Sequence, residues 1–202
     1  MTRIWSGPLQ DGYMITDAPS PIMVKKDGSK HMLERYDHQG RLLWETAGKG
    51  LFVFGLGIEE DGMLLLLSLQ QTGKNTVRAI MNGIRLDDGK DSWRTDLGVV
   101  SLNDDEIGSL WRYNNRPIFV HRSNAFLLLE NRAICMSVTS GKIRSDWQIP
   151  RQGENITHSD VIWLPLKKDI IVVSGANVVL MSEDKGRNWH ASLGEMYTAT
   201  EA

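Results

Sequence analysis

The chain has 202 residues, of which 41% are hydrophobic and 24% charged, and a formal net charge of −2. This is the make-up of an ordinary globular protein long enough to bury a core. The charge balance, with Lys25-Lys26 and Lys167-Lys168 as the only adjacent basic pairs, argues against nucleic acid, which calls for concentrated positive charge. The longest apolar run, Met63 to Leu67, is far shorter than the ~20 residues of a spanning helix, so no membrane insertion is expected. Cys135 is the single cysteine, which leaves no intrachain disulfide, and its setting in Ala133-Ile134-Cys135-Met136 reads as a buried, inert thiol. No signal-peptide pattern precedes Trp5. As it reads the chain is cytoplasmic; a leader removed ahead of Met1-Thr2-Arg3 would make it periplasmic.

Taken in order, the chain reads as short strands and turns. The first window, 12–47, holds Tyr13 to Thr16, Ile22 to Lys26 with an Asp27-Gly28 turn, the extended HMLERY of 31–36, and YDHQGRLLWETAG over 36–48. The second, 51–98, holds Leu51 to Ile58, a turn at Glu60-Asp61-Gly62, Met63 to Leu69, VRAIMNGIRL over 77–86, and LDDGKDSWRTDLG over 86–98. Thr76 to Ile84 contains helix formers, but Asn82-Gly83 interrupts them and Val77 and Ile80 fit a strand equally well. The third, 101–150, opens with Asn103 to Glu106, which could cap one helical turn within Leu102 to Ser109. It continues through Pro117 to His121, an Arg122-Ser123-Asn124 turn, Ala125 to Glu130, AICMSV over 133–138, and VTSGKIRSDWQIP over 138–150. The fourth, 158–194, holds Asp160 to Leu166, a Lys167-Lys168-Asp169 turn, Ile170 to Ser174, NVVLM over 177–181, and MSEDKGRNWHASLG over 181–194.

The last segment of each window follows one pattern: small polar or acidic residues, a glycine, a basic residue, then a tryptophan. The glycines Gly40, Gly89, Gly141 and Gly186 recur at 49, 52 and 45 residues, and the tryptophans are Trp44, Trp93, Trp147 and Trp189. Glycine supplies the positive φ of a tight hairpin turn. A tryptophan on the returning strand can bury up to ~250 Å² between adjacent sheets. Four strands per ~45-residue repeat is the period of a propeller blade. We therefore expect a single all-β domain over 1–202: a four-bladed or partial β-propeller-like array of antiparallel hairpins, with a β-sandwich or barrel as the alternative.

The Gly-Arg-Leu-Leu-Trp turn at 40–44 and the Gly-Lys turns at 89 and 141 resemble those of quinoprotein-type β-propellers. Ser182, Asp184, Gly186 and Trp189 match the S-x-D-x-G-x-x-W Asp-box of sialidase-like propellers. In those families the box holds a hairpin together at the outer edge of the fold, so the resemblance implies a structural role. The C-terminal third, Leu180 to Trp189, also resembles the ending of small β-rich immunity proteins paired with type VI secretion effectors.

Catalytic signatures are not found. The quinone enzymes need adjacent cysteines, which this chain lacks, and for the sialidase pair of tyrosine and glutamate the late residues Glu195 and Tyr197 read as an exposed tail rather than a catalytic pair. The five histidines show no H-x-H or H-x-x-x-H pairing for a metal. Neither Gly48-Lys49-Gly50 nor Gly55-Leu56-Gly57 opens a helix, and His158-Ser159-Asp160 is too compact to form a triad. No catalytic residue, metal or cofactor is expected. Trp111, Tyr113 and Arg116 lie outside the repeated hairpins and are the residue types of interface anchors. The expectation is a non-enzymatic protein-binding domain, an immunity protein that neutralises a cognate toxin by forming a complex. An outer-membrane assembly scaffold and a glycan-binding or sialidase-like protein are the alternatives.

Overall fold

Sixteen strands and no helix occupy the described residues of the computed structural model, which are 12–15, 20–27, 30–48, 51–58, 61–73, 76–100, 118–129, 132–149, 161–167, 169–174, 177–182 and 188–192. They form four separate four-stranded sheets, each an antiparallel meander in chain order. The first sheet comprises β1 (Gly12–Ile15), β2 (Ile22–Asp27), β3 (Lys30–Tyr36) and β4 (Leu42–Gly48). The second comprises β5 (Leu51–Ile58), β6 (Met63–Gln71), β7 (Val77–Arg85) and β8 (Asp91–Val100). The third comprises β9 (Ile118–His121), β10 (Asn124–Leu129), β11 (Arg132–Ser137) and β12 (Ile143–Gln148). The fourth comprises β13 (Val161–Pro165), β14 (Asp169–Ser174), β15 (Asn177–Ser182) and β16 (Trp189–Ser192). The ambiguous stretch from Thr76 to Ile84 is strand: its apolar residues are buried in the sheet, and that burial outweighs local helix propensity. The capped turn expected within Leu102 to Ser109 lies outside the described residues.

The chain divides into two compact units, one of residues 1–72 and 78–98, the other of 73–77 and 99–202. In the first unit Ile22, Val24, Leu33 and Trp44 of the first sheet pack on Leu64, Leu66, Ile84 and Leu86 of the second. In the second unit Phe126, Leu128, Ala133 and Cys135 of the third sheet pack on Ile170, Val172, Val179 and Met181 of the fourth, with Trp147 against the same core. Cys135 is a buried free thiol. The first and third sheets thus each present a leading face to the sheet that follows, and the second and fourth each receive it on a trailing face.

The ladder register shows which positions correspond. Ile22 pairs with Arg35, Asn124 with Ser137 and Asp169 with Ser182. Just beyond, Tyr36 N–H donates to the Pro21 carbonyl at 3.0 Å, Leu86 to Gly62 at 2.8 Å and Val138 to Ser123 at 2.9 Å. Tyr36, Leu86 and Val138 are therefore equivalent, each opening its sheet's outer hairpin. Gly40, Gly89 and Gly141 all have positive φ at the hairpin tips. In the second and third sheets the turn is the same: Gly89 N–H donates to Arg85 and Gly141 N–H to Ser137. The first sheet uses a tighter turn, with Gly40 donating to Asp37, after a register shift at Arg35/Tyr36.

The tryptophans are only partly equivalent. Trp44 sits across from Arg35, Trp147 across from Ala133 and Trp189 across from Leu180, so they occupy the fourth strand at three different levels. What they share is the face. Trp44 and Trp147 belong to leading faces, and Trp93 lies over Gly83, on the opposite side of the second sheet from its trailing-face residues. Burial differs as well: Trp44 is 8% exposed, whereas Trp189 is 43% exposed, against the expectation that each packs between sheets.

Trp44 shows how a covered leading face is built. Its indole Nε1 donates to the Leu86 carbonyl at 2.8 Å, which also accepts from the Arg35 guanidinium. The ring lies on Gly89, where a Cβ would stand 2.6 Å from ring carbons. We expect Trp44→Ala to cost ~3–5 kcal/mol through loss of burial and a cavity, and Trp189→Ala to cost about 1 kcal/mol or less because much of that ring is already in water. Urea titration of the two variants checks the contrast.

Two exposed turns carry carboxylates whose acidity is shifted. Backbone N–H of Arg41, then its guanidinium and the N–H of Gln39, hold Asp37 down to about 2. The guanidinium of Arg85, helped by Lys90 N–H, does the same for Asp88, also to about 2. A depressed carboxylate stabilises the fold above its unfolded pKa of about 4, and that stabilisation disappears as pH falls toward the folded value. An Asp37→Asn, Asp88→Asn double variant is expected to lose less stability than wild type between these limits, as read by thermal melts across acid pH.

Candidate functional site

Of the residues singled out from the sequence, Trp111, Tyr113, Arg116, Asp184 and Gly186 lie outside the described residues. Ser182 is buried at 1% exposure; its N–H donates to Asn188 Oδ1 at 2.6 Å, and its carbonyl accepts from Ser145 Oγ at 2.6 Å. It is thus a structural residue tying the third sheet to the fourth. Trp189 stands on the same face of the fourth sheet but is 43% exposed, and that makes it informative.

On the fourth sheet the face turned from the third is apolar across all four strands. One cross-strand row runs Leu164, Ile171, Leu180, Trp189, and the next runs Ile162, Val173, Val178, Ala191. Ile162 is 55% exposed, Leu164 47% and Trp189 43%; Ile171, Val173, Val178 and Leu180 are half-buried. Asp169, in the same face beyond the first row, is buried. By register this is a leading face: Ile171 corresponds to Val24 and Leu180 to Leu33, both of which are covered by the second sheet.

The trailing face of the first sheet is the opposite case. Its positions are Met23, Lys25, Glu34 and Tyr36, where the second sheet has Leu64, Leu66, Ile84 and Leu86 and the third has Ala125, Leu127, Met136 and Val138. Lys25 Nζ stands 2.5 Å from Glu34 and 3.4 Å from the Tyr36 hydroxyl, which itself donates to Glu34. The Glu34 hydrogen bond raises the Lys25 pKa. Burial pushes Glu34 upward, but hydrogen bonds from Lys25 and Tyr36 outweigh it and leave the carboxyl below its ordinary value. Burial, and then the bond to Glu34, raises the Tyr36 pKa. The network is polar and partly exposed, at positions where the other sheets carry apolar residues.

Among the described residues no three His, Cys, Asp or Glu side chains gather into a metal-binding group. The sequence expectation places contact residues in a loop and not on this exposed apolar face. Its signal was in the sequence nonetheless: Ile170-Ile171-Val172-Val173 and Val178-Val179-Leu180-Met181 are apolar at every position, the mark of a strand that buries both faces.

No protein-family model and no curated protein matches the chain. Solved structures do. The quinohemoprotein alcohol dehydrogenase ADHIIG from Pseudomonas putida HK5 superposes with a TM-score of 0.51 at 9% identity, over 85% of this chain and 34% of its own. The fold is that of a β-propeller. BamB from Moraxella catarrhalis matches with a TM-score of 0.46 at 9% identity, over 87% of this chain and 50% of its own. A europium-containing methanol dehydrogenase matches with 0.45 at 15% identity, over 68% and 24%. The chain spans half or less of the length of each. The propeller-like expectation therefore holds over the sandwich or barrel, and each four-stranded sheet is a blade.

If the polar network caps the first blade, replacing it with the apolar pattern of the other blades removes the cap. Lys25→Leu with Glu34→Ile is expected to produce head-to-tail polymers, because an apolar trailing face then meets the exposed leading face of a second copy. Light scattering against concentration reads this out; an unchanged state of association would show that the network plays no capping part.

Proposed function

We propose that the chain is a non-enzymatic protein-binding module that docks its partner on the leading face of the fourth blade. The observation that carries this reading is the two-row apolar face ending in a half-exposed tryptophan. Contiguous exposed apolar surface marks interaction sites, and a tryptophan among aliphatic neighbours is the usual make-up of an energetic anchor. The partner we propose is a cognate secreted toxin, as in type VI immunity proteins. The support for that finer reading is the resemblance of Leu180 to Trp189, and both residues stand in the first row of the face. Trp111, Tyr113 and Arg116 remain proposed as a second contact set. An assembly scaffold would use the same face but would not inhibit its partner.

The test is calorimetric titration against the product of any effector gene found to neighbour this one, with that product's activity as a second readout. Leu164→Glu with Trp189→Glu is expected to weaken binding by at least ~10-fold, about 1.4 kcal/mol, and to relieve inhibition. Trp111→Ala with Arg116→Ala tests the second set in the same way. Affinity untouched by the face variant would move the docking surface elsewhere. Hydrolysis of a glycan by the wild type would replace the binding reading with an enzymatic one.

A further inference from the structure

Resting on the reading that this face binds protein, we infer that in the free chain its occupant is a second copy: two molecules pair fourth blade to fourth blade about a two-fold axis. Three observations single out this arrangement. Each inter-blade core shows what a leading face accepts, an apolar sheet laid across it. A head-to-tail dimer would have to offer the trailing face of the first blade, and there Lys25, Glu34 and Tyr36 would be buried in a mutual network that has water on one side now. Removing such charges from water carries a desolvation penalty that their mutual attraction does not fully repay. The fourth-blade face carries no exposed charge in its two rows, so a copy related by symmetry brings no like charges together.

The geometry is that of two sheets packed face to face about 10 Å apart, as in a sandwich. An isologous contact of this kind closes at two molecules and leaves no free face for growth. The part-exposed apolar side chains offer on the order of 400–500 Å² per copy, at the low end of specific interfaces, so the dimer is reversible. Its dissociation frees the face, and any docking partner competes with self-association.

Sedimentation equilibrium of the wild-type chain over a wide concentration range is expected to fit monomer and dimer alone. Leu164→Glu, at a half-exposed position, is expected to leave the protein monomeric with an unchanged circular dichroism spectrum and melting temperature. Leu180 lies in the middle of the first row, so Leu180→Cys should cross-link to itself under mild oxidation, whereas buried Cys135 should not react. A wild type that stays monomeric at its solubility limit overturns the dimer, as does assembly into open polymers or a dimer that persists in Leu164→Glu. A monomeric wild type whose effector binding is still lost in the face variant would overturn the dimer and leave the docking reading standing; a dimer whose effector binding ignores that variant would do the reverse.

Discussion

An indole lying on a glycine is the contact that makes one blade fit the next. Trp44 can reach the Leu86 carbonyl only because Gly89, one turn further on, has no side chain to hold the ring away. The same glycine has a φ of 70°, which the hairpin tip requires. One residue therefore serves two demands, closing its own hairpin and receiving the tryptophan of the preceding blade. The second unit repeats the logic with smaller groups: Ser145 on the fourth strand of the third blade donates to Ser182 at the end of the third strand of the fourth. In the first unit the glycine-basic-tryptophan pattern thus joins two blades as well as turning a hairpin.

Much of the fold was legible because its signals are local. β5 runs over Leu51–Ile58, the span read from its apolar run, and the inner turns at Asp61-Gly62 and Arg122-Ser123 fall where the polar breaks lie. Arg122 and Ser123 both have positive φ without being glycine, which a sequence reader would not expect. The tight two-residue hairpin between β9 and β10 forces this, since a primed turn matches the strand twist. The equivalence of the tryptophans was legible only in part. A strand's period of two preserves the face when a residue shifts by two, but not the level. The tryptophans follow their turn glycines at unequal distances, from Gly186-Trp189 to Gly141-Trp147, and the register shifts at Arg35/Tyr36 and Cys135/Met136 add to this, so the shared face is legible as a pattern while the heights are not.

The candidate site was illegible for a different reason. Loop residues such as Trp111 draw attention by composition, whereas Leu164, Ile171 and Leu180 look like core. Whether a doubly apolar strand is core or surface depends on whether a sheet covers its second face, and no window of sequence records that. Two comparisons across repeats do record it. At matched trailing positions the first blade alone carries charge, with Lys25 and Glu34 where its counterparts have leucine, valine, isoleucine or methionine. The fourth blade is apolar on its trailing face and, beyond buried Asp169 and Ser182, across two rows of its leading face.

That asymmetry carries the functional argument further than either face does alone. In repeat proteins a polar outer face keeps a terminal repeat soluble. The first blade carries an ion pair on its trailing face. The fourth carries none in the two rows of its leading face, although a polar change at Leu164 or Ile162, both half in water already, would come at little cost to the fold. Among the described residues this apolar face is exposed where one polar side chain would cap it, and docking there therefore calls for a partner surface that is flat, apolar and about as wide as four strands.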